Sequence, residues 1–359
     1  MAYPKGEWRR IMIDPHVHLR DWNQSNKETI EHGMKVASRL GFTHLFDMPN
    51  TNPPCTDRDT VLARLADGGE AAEKTGVSYH LYGGLTHDEG QIREMAEIHD
   101  ELFPLVAGLK MFAGQSTGNM GIIGPDKQKD VFRVLSDAGY EGVLAVHAEK
   151  EELMKPSLFI PGKWETHSLA RPAEAERESV GDLIEAAEET GFRGVLHICH
   201  VSASSTINLV KEKRKDSSFR ITMGATPHHA LLSAADAENH SLYLKMNPPL
   251  RSEEDRKAVF SALLDGTIDW AESDHAPHTI EDKEKGASGI PGLPGMLLLL
   301  SELRKAGCSE KRLEAIFGMA AADAFGLSDY SENLPSDAFS LFSEISSEYI
   351  WNPYADFLK

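Results

Sequence analysis

Apolar, strand-length runs alternate with amphipathic, helix-length stretches along almost the whole of this chain, and few folds accept that order. The strand-like runs fall near residues 11–14, 42–48, 77–83, 105–112, 142–147, 194–200, 219–224 and 266–272. Between them lie helix-like stretches at Glu28 to Leu40, Asp57 to Thr75, Glu89 to Leu102, Gln128 to Ala138, Glu174 to Thr190, Ser202 to Lys215 and Glu253 to Leu264. Gly41, Gly76, Gly139 and Gly191 each stand directly after one of these stretches, where a residue free to turn left-handed ends a helix. Eight β-then-α units predict an α/β fold of the (β/α)8 TIM type, a parallel barrel that carries its chemistry at the carboxyl ends of its strands. At 359 residues the chain exceeds the roughly 250 such a barrel needs, so one domain over 1–359 is expected. After the eighth strand the helix-like stretches Met296 to Lys305 and Ser309 to Phe325 follow, and the patternless tail 328–359 is expected to pack on the barrel as an extension.

Asp14-Pro15-His16-Val17-His18-Leu19-Arg20 closes the first run, and side chains two apart on a strand share a face, so His16 and His18 can grip one metal ion together. Lys110, His147, His200 and Asp274 stand at the ends of other apolar runs. Six ligand types at strand ends exceed what one tetrahedral zinc can use, which implies two metals, His16 and His18 on one and His147 and His200 on the other. An anionic bridge is then needed. A lysine freed of its proton by burial and nearby metals can add carbon dioxide and become a carboxylate, which is the reading given to Lys110. In other company it would be a lysine snorkelling to solvent. Asp274 can ligate a metal and carry a proton; elsewhere the same residue would read as a turn cap.

Composition narrows the partners. A formal net charge of -19 and a pI near 5.3 disfavour nucleic acid and anionic membranes. Three widely spaced cysteines make neither a disulfide framework nor a CxxC zinc module, which points to a reducing, cytoplasmic setting. The polar start of the chain does not read as a signal peptide, and the longest apolar run, Met296 to Leu300, is too short to span a bilayer.

Taken together, Asp14 to Arg20, Asp47-Met48-Pro49-Asn50-Thr51-Asn52-Pro53-Pro54, Gly108-Leu109-Lys110, Val146-His147-Ala148-Glu149, Cys199-His200-Val201-Ser202, Asn247-Pro248-Pro249-Leu250-Arg251 and Ser273-Asp274-His275-Ala276-Pro277-His278 resemble, in order, the motifs of the dihydroorotases of the amidohydrolase superfamily. The resemblance runs from residue 14 to about 295. It implies a hydrolase of cyclic amides that reversibly closes N-carbamoyl-L-aspartate to L-dihydroorotate in pyrimidine biosynthesis. It further implies two Zn2+ or other divalent ions on His16, His18, His147, His200, Asp274 and Lys110 as N6-carboxylysine, with Asp274 as proton shuttle. Arg20, Asn50, Thr117, Asn247 and His278 match the substrate contacts, and residues 114–121 match a loop that closes over the substrate in some relatives. Many relatives carry about fifty further residues before the His-x-His, so the chain resembles the compact form without that β-sandwich segment. His228 and His229 are expected to support the ligands from behind or to be structural, and His32, His80, His99, His167 and His197 to be surface or packing residues, the last pointing away from the metals. A homodimer is the default assembly, and association with aspartate carbamoyltransferase is left open. Two alternatives share the fold: another cyclic-amide hydrolase of the allantoinase or hydantoinase type, and a non-catalytic scaffold. Retention of all six ligand positions speaks against the scaffold.

Overall fold

The computed structural model describes residues 12–115, 120–327 and 334–359. Eight strands lie in one sheet in the order β1 to β8, each parallel to the next. They are β1 Ile13–Val17, β2 His44–Asp47, β3 Ser78–Gly84, β4 Val106–Phe112, β5 Val143–His147, β6 Val195–Ile198, β7 Arg220–Ala225 and β8 Trp270–Ala271. Eight parallel strands twist enough to bring the edges together: Val17 bridges His275, and the His18 N–H donates to His275 O at 2.8 Å. The sheet is therefore a barrel closed by backbone just past β8.

Helices cover the outside. Ile30–Leu40, Arg58–Thr75, Glu89–Leu102, Pro125–Asp137, Ala173–Thr190, Ser204–Lys213 and Glu253–Asp265 separate successive strands as the periodicity predicts. Gly41 and Gly76 cap two of them at φ 94° and 73°, in the region only glycine enters without cost. Asp57 begins the second of these with a capping box to Thr60. The apolar outer faces of the strands, such as Leu81, Leu109, Met111, Leu144 and Val146, pack against these helices in the main core. A smaller cluster fills the barrel itself, where Phe46, Tyr82 and Trp270 meet Phe325 from below; the Phe46 and Phe325 rings lie 4.6 Å apart. That floor leaves the buried histidines, Lys110 and Asp274 gathered at the opposite, carboxyl end.

Three stretches differ from the sequence reading. The eighth strand keeps two residues of the seven expected: the left-handed cap Gly266 and the turn after it take up the first part of the run, and pairing ends at Ala271. Ser309 to Phe325 is not one helix: a π-turn at Ala315–Met319 separates Glu310–Glu314 from Ala320–Ala324, just before the residues that plug the floor. The tail contains a helix, Ala338–Ile345, which packs on Leu293–Lys305 and on Ile30–Leu40. Beyond it Tyr349 places its hydroxyl 3.2 Å from His275 Nε2. Among the described residues no helix is long and apolar enough to cross a membrane.

Candidate metal centre

His16, His18, Lys110, His147, His200 and Asp274 line a single small cavity at the carboxyl end of the barrel, together with Arg20, Asn50 and Asn247. His16, His18 and Arg20 come from β1 and the residues just past it, Asn50, Lys110, His147, His200 and Asp274 from the ends of five other strands or just beyond them, and Asn247 from the long loop after β7. Asp274 Oδ1 lies 3.3 Å from His16 Nε2 and 3.0 Å from His18 Nε2. His147 Nδ1 faces His200 Nε2 at 3.3 Å. Two nitrogens bound about 2.0–2.1 Å from one tetrahedral zinc stand roughly 3.3–3.4 Å apart, so this spacing is that of paired ligands on a common ion. The nitrogens that face the centre are thus Nε2 of His16, His18 and His200 and Nδ1 of His147. The donor set, imidazole and carboxylate, suits a zinc-like divalent cation.

Lys110 sits inside β4 with no exposed surface. Its Nζ lies 3.1 Å from Cys199 Sγ and 5.1 Å from the centre of the Phe112 ring, and among the described residues no carboxylate pairs with it. A buried ammonium without a carboxylate beside it is costly. Burial would raise Asp274, but hydrogen bonds to His16 and His18 outweigh it and hold the carboxyl well below its usual range. Burial pushes His18 down to about 4, so the ring is a neutral donor of lone pairs at physiological pH.

The wall beside this cluster is cationic. Arg20 is 2% exposed, with Nη2 3.1 Å from His278 Nε2 and Nε donating to Pro277 O at 3.2 Å. Burial brings its guanidinium down to about 10, leaving it charged. Asn50 Oδ1 lies 2.7 Å from His18 Nδ1, and Asn247 Oδ1 lies 2.8 Å from His167 Nε2. His278 stands behind Arg20 rather than in the cavity wall, and Thr117 lies outside the described residues. Of the five non-glycine residues with positive φ among the described residues, Arg20 (42°), His200 (38°) and Asp274 (45°) are all in this site. Such backbone persists only where its surroundings hold it, and it concentrates at functional sites.

Several groups here were not singled out from sequence. Glu149 Oε2 lies 3.0 Å from His147 Nε2, which leaves Nδ1 for the centre; Arg171 Nε grips the same carboxylate at 3.0 Å. The two-residue spacing that pairs His16 with His18 also pairs His147 with Glu149 and would have found it. Glu272, Cys199 and His167 carry no such local mark. The expectation for His197 is corrected. It does share the face of Cys199, but that face points into the barrel, and the left-handed turn at His200 swings the next ring over the same axis. His228 and His229 are buried outside the cavity wall; His229 Nε2 reaches Pro248 O at 3.1 Å.

Residues 12–334 match the model of the amidohydrolase family. The dihydroorotase of Thermococcus kodakarensis is 38% identical over 297 residues, 82% of this chain and 63% of that protein, so the chain spans less than two thirds of that relative. The dihydroorotase of Brevibacillus brevis is 34% identical over 330 residues, 88% of this chain and 73% of the other. Among solved structures, an L-hydantoinase from Arthrobacter aurescens superposes with a TM-score of 0.79 at 26% identity, over 90% of this chain and 72% of that one. A dihydroorotase from Campylobacter jejuni shares the fold with a TM-score of 0.69 at 20% identity, over 92% and 87% of the two chains.

Proposed function

From the premise that this chain belongs to the amidohydrolase family, we propose that it is a dihydroorotase, opening and closing the cyclic amide between L-dihydroorotate and N-carbamoyl-L-aspartate on two divalent ions. The observation that carries this reading is one cavity that joins four imidazoles, Lys110 and Asp274 to the guanidinium of Arg20. His16 and His18 would hold one ion, His147 and His200 the other, with Asp274 on the first. Zinc is the metal that this donor set favours. Bound there, the ions supply a water acidic enough to be a nucleophile at neutral pH and polarise the carbonyl it attacks. Lys110 would bridge them as a carbamate: its ammonium gives up one proton to become an amine, the amine nitrogen bonds to carbon dioxide, and a second proton leaves, so that a buried cation becomes the missing anion.

The chain's own groups do the rest. In ring opening Asp274 accepts the proton of the attacking water and passes it to the departing amide nitrogen; in closure the same carboxyl works in reverse. Arg20 offers a fork of donors to the substrate carboxylate, which is how a protein of net charge -19 can hold an anion. Asn50, Asn247 and Thr117 add neutral contacts, and His278, 3.1 Å behind Arg20 Nη2, sets the fork's position. A cytoplasmic homodimer is the assembly proposed with this activity.

The hydantoinase reading reuses the metal centre but has no need of a carboxylate fork. Turnover of dihydroorotate, hydantoin and allantoin by the zinc-loaded chain separates the readings. Dihydroorotase activity predicts preference for dihydroorotate by orders of magnitude, and a preference for hydantoin would overturn the assignment.

A further inference from the structure

Glu272 is a fully buried carboxylate that the reaction leaves unused. It directly follows β8, two residues before Asp274, and its contacts all run to supports of the metal centre. Oε1 accepts from the His200 backbone N–H at 2.5 Å and lies 3.5 Å from His16 Nδ1. Oε2 lies 2.9 Å from His197 Nε2 and accepts from Trp270 Nε1 at 3.2 Å. His197 is fixed in turn by Thr222 Oγ1 at 3.1 Å and by stacking on the Trp270 ring. Across the sheet, β7 carries Gly224, where a Cβ would stand 2.2 Å from Glu272 Oε2 and 2.4 Å from its Cδ. The strand thus omits one side chain where this carboxylate lies.

We propose that Glu272 is a positioning residue that keeps the proton of His16 on Nδ1, so that Nε2 is free for the metal centre, and braces the left-handed backbone of His200. A neutral imidazole offers one lone pair, and the hydrogen bond on its other nitrogen decides which. One carboxylate therefore orients a ligand from each pair, His16 of the first and His200 of the second. This rests on the metal-centre reading given above.

The test uses the full zinc-loaded chain as wild type, Glu272→Gln and Gly224→Ala. The first variant removes the charge at constant size, and the second displaces the carboxylate without altering it. Zinc per chain, zinc affinity against a chromophoric chelator, and 15N NMR of histidine-labelled protein are measured. Wild type should show a protonated Nδ1 on His16, and both variants should lose or shift that signal and bind zinc 10- to 100-fold more weakly, the usual size of such outer effects. A wild-type His16 without an Nδ1 proton would overturn the proposal, and that result needs no variant to fold. So would unchanged zinc affinity and tautomer in both variants. His16, Cys199 and Glu272 also place ligand atoms within 4.8 Å of one another. A third zinc per chain that disappears in Glu272→Gln would make Glu272 a ligand and overturn its positioning role. A wild type that binds no zinc sinks the metal-centre reading as well, whereas normal zinc binding with indifferent variants sinks this proposal alone.

Discussion

Asp47→Asn exchanges one atom in a carboxylate on which four donors converge. Oδ2 accepts from Arg64 Nε at 2.9 Å, Arg64 Nη2 at 2.6 Å and Tyr79 Oη at 2.8 Å, while Oδ1 accepts from the Leu19 N–H at 2.9 Å. Asp47 and Arg64 have no exposed surface. Asparagine can keep the bond to Leu19, but its amide then sets N–H groups against three donors, and the guanidinium remains buried without an anion. Each lost bond to a charged group is worth about 1.5–3 kcal/mol, and breaking a buried pair from one side costs about 3–5 kcal/mol. A loss of about 4 kcal/mol is expected, a large part of the roughly 5–15 kcal/mol that holds a folded domain. Urea unfolding followed by tryptophan fluorescence should show a lower midpoint at unchanged slope. Removing the stranded cation as well, in Asp47→Asn with Arg64→Met, should restore at least about half of the loss, since replacing both partners by uncharged groups is far cheaper than orphaning one. A single-variant loss below about 1 kcal/mol, or a double variant no more stable than the single, would refute the reasoning. Because Oδ1 still anchors Leu19, between His18 and Arg20, zinc content should not change.

Arg20→Gln should raise KM for the carboxylate substrate about 100-fold or more while leaving zinc content intact, as expected for the loss of a charged fork worth about 3 kcal/mol; zinc loss in this variant would contradict its role. Lys110→Ala should lose most zinc and turnover, with partial recovery in short carboxylic acids that can occupy the place of the carbamate, and full activity without them would remove Lys110 from the centre. Burial would raise Glu28, but His275 and His32, at 2.9 and 3.0 Å, outweigh it and hold its carboxyl down to about 2. A depressed folded-state value stabilises above the unfolded value near 4.5 and the benefit disappears as pH falls toward 2, about 3 kcal/mol in all. Glu28→Gln should accordingly flatten the loss of stability between pH 5 and pH 2, and denaturation curves of equal acid sensitivity would disprove it.

Much of the fold was legible because it is written locally. Strand-length apolar runs and amphipathic stretches ending in glycine identify themselves within a few residues, and the helix Glu89–Leu102 falls where its periodicity places it. The candidate ligands were legible for a related reason: in a parallel barrel strand ends converge, so His16, Lys110, His147, His200 and Asp274 could be brought together without knowing any distance. Face and partner were not legible. Alternation alone pairs His197 with Cys199 but cannot say which face turns inward, because that is settled only when β8 meets β1 and the barrel acquires an axis. Glu272 is one acidic residue among 56 Asp and Glu until folding sets it against His16, His197 and the His200 backbone, with Gly224 leaving room. Local order follows from the conformational preferences of neighbouring residues, whereas a buried charge takes its meaning from chain-distant groups that desolvate and pair it, and only the closed tertiary structure decides which groups those are.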